Sequence, residues 1–185
     1  MNTLKLSSLA QAVALCVGTL LFSATADAAA DRTAYDQAKA SAKSTYESER
    51  KTCDSFGGNA KDICVAEANA RRTKTEAEAE AAWKNTPKAR EQAVHEIAEA
   101  NYKVAKERCD DKGGNAKDVC LKEAKAAMTT MVADATAMKK GTEARMDANA
   151  DKRDAEYKVA IEKCDAFAGD AKSACLADAK ARFGK

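Results

Sequence analysis

The sequence predicts an all-α fold, an elongated antiparallel helical bundle or coiled coil built from three disulfide-stapled αα-hairpin repeats. Three observations predict it. Ala, Lys, Glu and Arg, the strongest helix formers, dominate a chain whose single proline is Pro87. The spacing C-x10-C occurs three times, at Cys53/Cys64, Cys109/Cys120 and Cys164/Cys175. A helix stop followed by a helix start lies midway between the cysteines of each pair.

Composition excludes a conventional core. Beyond residue 28 there are 38 Ala but only 14 large apolar residues of the Leu, Ile, Val and Phe types. That is well under the ~20% at which a chain normally buries a greasy interior. A compact enzyme domain is therefore not expected. Lys and Arg number 31 against 29 Asp and Glu. The near balance removes self-repulsion and any strong bias toward nucleic acid or anionic lipid.

The first 28 residues read as a cleavable signal peptide. Lys5 provides the charged start, Leu9 to Phe22 the apolar stretch, and Ala26-Asp27-Ala28 an A-x-A cleavage pattern. The apolar run is shorter than the ~20 residues a spanning helix needs, so no integral membrane segment is expected after cleavage. Cys16 lies inside that run and leaves with it. Residues 29–185 form the helical repeat region.

Each repeat is one hairpin. In the first, Gly57 and Gly58 end a helix, and Asn59 with Asp62 three residues on reads as an N-cap and capping box. Gly113, Gly114, Asn115 and Asp118 repeat the signal. The third copy keeps Gly169 and Asp170 but has Ala168 and Ser173, which predicts a weaker cap. Tyr102 to Ala126 and Tyr157 to Ala181 agree at 15 of 25 positions, and Tyr46 opens the first copy in the same place. Such self-similarity marks one supersecondary unit used three times.

The cysteines of each pair are equidistant from the turn, so they face each other across antiparallel arms. A disulfide needs Cα atoms ~5.5 Å apart, closer than ordinary helix packing allows unless the touching faces are small. Ala68, Ala124 and Ala179, one turn past the second cysteines, supply that face. Tyr46, Tyr102 and Tyr157 lie two turns before the first cysteines on the same side. Each hairpin should thus hold a tyrosine, a disulfide and an alanine inward. Metal binding by the thiols is the competing reading. C-x10-C is not a zinc spacing, the only histidine is His95, and an exported chain with six cysteines oxidises them.

The linkers leave two architectures open. The first, Val65 to Arg108, is helical except at Asn85, Thr86 and Pro87, where Thr86 can cap and Pro87 can start a helix. The second, Leu121 to Lys163, is weak only at Gly141. Leu121, Ala124, Met128, Met131, Ala135 and Met138 read as a coiled-coil seam, shifting phase beyond Gly141 to Met146, Ala150, Tyr157, Ile161 and Cys164. Val94, Ile97, Asn101 and Val104 give a similar seam in the first linker. The linkers either run as long kinked helices or fold back at Pro87 and Gly141. The long-helix bundle is preferred, because hairpins this poor in large side chains gain little by standing alone.

No catalytic residue, cofactor site or metal site is expected. His95 is the most tempting general base, but its charged neighbours read as a solvated helix surface. Glu76, Glu78 and Glu80 read as solubilising charge, and Lys61, Lys117 and Lys172 as solvated cations at the hairpin tips. Met128, Met131, Met138 and Met146 could offer thioethers to copper or a pliable surface to clients, though their spacing favours a seam. Trp83 either packs the corner before Asn85 or anchors a partner.

With its leader, its Ala/Lys/Glu-rich helices and the unit Y-x6-C-D … G-[ND]-A-K-x-x-C, the chain resembles small exported Ala/Lys-rich proteins of Gram-negative bacteria with C-x10-C repeats. Some of these are labelled TolA-like or cell envelope biogenesis proteins. The resemblance implies a periplasmic location and an envelope setting. The chain differs from TolA in its regular cysteine pairs, its cleavable leader and the lack of a recognisable C-terminal globular domain. The function expected is a non-enzymatic periplasmic structural or interaction protein of the cell envelope. It would have protein partners there, possible homo-oligomers and no nucleic acid. The alternative is a holdase-type chaperone for unfolded exported proteins.

Overall fold

A computed structural model describes residues 32–185, all but the turns and the last residue of which are helical. The leader read in residues 1–28 lies outside the described residues. The helices are α1 (Arg32–Cys53), α2 (Gly58–Lys84), α3 (Pro87–Asp110), α4 (Gly114–Cys164) and α5 (Gly169–Phe183). The all-helical, disulfide-stapled hairpin architecture is as the sequence predicts.

The chain runs as a serpentine. Each helix packs on its neighbours in sequence, and among the described residues no other pair of helices touches. The first two stapled turns therefore lie at one end. The third lies at the far end of α4, whose 51 residues span about 77 Å.

Alanine makes the core. Of the fourteen buried apolar residues described, ten are Ala, three are Cys and one is Val104. The largest side chains that are fully buried are Cys53, Cys109 and Cys164. Sulfur thus occupies the places where other bundles put leucine. The central helix α3, flanked by α2 and α4, buries most: Ala89, Ala93, Ala98, Ala100, Val104 and Cys109. Ala77 and Ala81 of α2 meet Ala93 there, with Ile97 against them.

The two linkers behave differently, and each alternative reading describes one of them. At residues 85–87 the chain folds back. Asn85 takes a left-handed conformation (φ 46°, ψ 39°) that ends α2, Thr86 Oγ1 accepts from Ala89 N at 3.0 Å, and Pro87 occupies the first turn of α3. A stop, a cap and a proline together reverse the chain. At Gly141 none of these follows, and α4 continues through it. A lone glycine costs a helix only about 1 kcal/mol, which flanking helix formers absorb. The chain therefore does not fold back at Gly141.

The seam in α4 also needs correction. Leu121, Ala124 and Met128 are partly covered and Ala135 is buried, but Met131 and Met138 are exposed, Met138 at 74%. Val132 and Lys139 take the inward places instead. A straight helix drifts from a strict heptad register, so the inward stripe moves on by one residue. Beyond Gly141, Met146 is exposed, whereas Ala150, Tyr157 and Ile161 are partly covered and Cys164 is buried. In α3, Val104 is buried but Asn101 is exposed, so Asn101 does not set an inward register.

Candidate functional site

The repeated unit is the three stapled turns. Cα separations across Cys53–Cys64, Cys109–Cys120 and Cys164–Cys175 are 5.6, 5.7 and 5.7 Å. Ala68 and Ala179 are buried one turn beyond the second cysteines, and Ala124 is half-buried. The tyrosines face the opposite arms. Arg72 stacks over Tyr46 at 4.4 Å, Lys125 over Tyr102 at 5.4 Å, and Phe183 tilts against Tyr157 at 6.0 Å.

The tip lysines have a task that their spacing did not reveal. Lys61 pairs with Asp54, Lys117 with Asp110 and Lys172 with Asp165, each at 2.8 Å. The aspartate follows the first cysteine, and the lysine precedes the second by three residues. The C-D and A-K-x-x-C halves of the motif thus close one ion pair over each disulfide.

The second arm begins differently from the capping box the sequence suggests. Gly57, Gly113 and Ala168 are the N-caps, in extended backbone, and no side chain caps them. The next residues, Gly58, Gly114 and Gly169, have φ of +55°, +51° and +57°. Ala168 is tolerated because its position is extended, while the left-handed glycine is present in all three copies. Gly58→Ala should cost about 1 kcal/mol and Gly57→Ala nearly nothing, read as thermal midpoints of the oxidised protein.

Freed from capping, Asn59 links two hairpins. Its Nδ2 donates to Glu107 O at 2.8 Å and to Asp111 Oδ1 at 2.7 Å, closing the C-terminal end of α3. A chain of ion pairs crosses the same layer. Glu49 of α1 accepts from Arg71 of α2 at 2.9 Å, and Glu67 of α2 accepts from Arg108 of α3 at 2.6 Å. On the other side of α3, Glu91 accepts from Lys139 of α4 at 2.6 Å.

These pairs set a pH dependence. The hydrogen bond from Lys61 holds Asp54 below the usual carboxylate range, and the bond from Lys139 does the same for Glu91 against the opposing effect of burial. Lys185 likewise lowers Asp154. Depressed carboxylates bind protons more readily in the unfolded chain. Their stabilisation is complete above the ordinary carboxylate range and is lost as pH falls through it. Melts between about pH 6 and pH 3 should show a steady decline in midpoint, weakened by added salt because the pairs are near the surface.

Trp83 stacks on Tyr35 of α1 at 5.0 Å with the Arg32 guanidinium 4.6 Å over its ring, so it packs the corner. His95 is half-buried, with Nε2 shut off from solvent and lacking a hydrogen-bond partner. The solvated surface expected for it is covered, because α3 lies between two helices. Of the acidic run, Glu80 pairs with Lys84 and Glu78 with Lys74.

The six paired cysteines offer no thiolate, and among the described residues no cluster of His, Cys, Asp and Glu is arranged to hold a metal ion. No described helix is long and apolar enough to cross a membrane. Three disulfides are characteristic of an oxidising, extracytoplasmic environment. Comparisons with protein families, curated proteins and solved structures find no match to this chain.

Proposed function

We propose that this chain is a non-enzymatic spacer or interaction protein of the periplasmic face of the cell envelope, exported by the leader read in residues 1–28. The observation that carries the reading is the single-layer serpentine with sulfur bridges at three of its four reversals. It packs helices of 15 to 51 residues on their neighbours without a large apolar core, and α4 runs exposed over residues 143–149 between its contacts with α3 and α5. Such a shape spans distance and presents long charged edges, which suits a protein that joins others. Balanced charge keeps those edges free of indiscriminate attraction.

In-cell crosslinking followed by mass spectrometry tests this. One envelope protein should dominate the adducts, and the mature N-terminus should begin near residue 29. Recovery of the chain reduced and in the cytoplasm would overturn the reading. The holdase alternative draws on exposed apolar side chains of α4, Met131 and Met138, two turns apart on one side, and Met146 beyond them. It expects adducts spread over many unrelated exported proteins, and suppression of aggregation of a denatured client at stoichiometric amounts.

A further inference from the structure

The internal repeat allows one packing face to be compared with its own copy. Tyr102 to Ala126 aligns with Tyr157 to Ala181 without gaps, so Val104 corresponds to Val159, Ala100 to Ala155 and Arg108 to Lys163. In the second hairpin α2 covers this face of α3. Val104 is 8% exposed, Ala100 is buried, and Arg108 donates to Glu67. In the third hairpin no other part of the described chain packs there. Val159 is 55% exposed, Ala155 is exposed, and Lys163 has no ion-pair partner among the described residues.

The covering half of that contact is present on the same hairpin. Aligned on the cysteine pairs, Asp178 of α5 corresponds to Glu67 of α2, and Arg182 to Arg71. Val159, Lys163, Asp178 and Arg182 line one open groove between α4 and α5. The third hairpin therefore carries both sides of an interface that, between α2 and α3, is already closed within the chain.

We infer that this hairpin is a self-association surface whose occupant is the third hairpin of a second copy. A two-fold axis parallel to the helices sets α4 of each copy antiparallel to α5 of the other, as α3 lies against α2. Two-fold interfaces need a self-complementary patch, and a patch holding both halves is one. The product is a four-helix bundle in which Lys163 of each copy faces Asp178 of the other, repeating the Arg108–Glu67 pair. An unrelated apolar partner would account for the bare Val159 but not for the matching charges in the same register.

The inference goes beyond the spacer reading and does not depend on it. Each of the two contacts is limited to the 15 residues of α5, about 22 Å, so the dimer should dissociate in the micromolar range. Sedimentation velocity of the oxidised protein from about 1 μM to about 1 mM should show a monomer–dimer equilibrium. Val159→Glu should weaken it about tenfold or more with unchanged circular dichroism, because the side chain is already exposed in the single chain. Lys163→Asp should weaken it similarly, and Lys163→Asp combined with Asp178→Lys should restore it. A monomer at every concentration, or a dimer indifferent to Val159→Glu, would overturn the inference. Failure of the charge exchange to restore association would overturn the proposed register. Adducts of the chain with itself belong to this inference and adducts with other proteins to the spacer reading, so the two readings fail separately.

Discussion

Reduction of the three disulfides is expected to leave the chain without a cooperative thermal transition, or with one lowered further than by any point substitution. A bridge closing so short a loop contributes about 3 kcal/mol by constraining the unfolded chain. Whole domains are stable by only about 5–15 kcal/mol. Here the first cysteine of each bridge is also fully buried, so removal takes away core as well as constraint. The loss should be uneven. α5 packs on α4 alone, and a 15-residue helix is marginal by itself, so Cys164→Ser with Cys175→Ser should release it. Amide exchange in α5 should then approach the unfolded rate while α2 and α3 stay protected. The same replacement at Cys109 and Cys120 should be milder locally, because α3 keeps its contact with α2. A reduced protein melting within a few degrees of the oxidised one would refute this account.

Ala68→Leu is expected to destabilise the protein by about 2–3 kcal/mol, or roughly 5–10 °C in midpoint. Ala68 has no solvent exposure and lies one turn beyond Cys64, where a 5.6 Å Cα separation holds α1 and α2 together. A leucine there has no space to enter, so either the arms splay against the bridge or neighbouring side chains leave their rotamers. Ala82→Leu on the exposed side of α2 should change the midpoint by less than about 2 °C. Equal effects at the two positions would show that alanine matters as a helix former rather than as a spacer.

Much of the architecture was legible because it is encoded locally. The equal spacing of cysteines about each glycine turn is a one-dimensional fact that geometry converts into a facing pair. Asn85, Thr86 and Pro87 mark a break between two helices, though not whether the chain kinks or reverses there. The tip ion pairs were also written in the motif, as the Asp after each first cysteine and the Lys before each second, but spacing alone did not show that they meet. Asn59 has the residue type and spacing of a helix cap. The left-handed glycine before it moves the helix start back to Gly58 and points the amide at α3 instead.

What the sequence by itself determined is the helical class, the three hairpins and the pairing of their cysteines. Helix propensity, turn chemistry and loop closure act over a dozen residues and need no knowledge of neighbours. Only the tertiary structure decided which linker turns and which continues, which side of α4 is covered, and that His95 lies between helices. Those outcomes depend on competing contacts among alanine faces of nearly equal size, where a shift of one residue moves the stripe and local pattern cannot choose. Packing across the layer makes that choice, through Glu91 with Lys139, Glu67 with Arg108 and the close approach of α2 to α3.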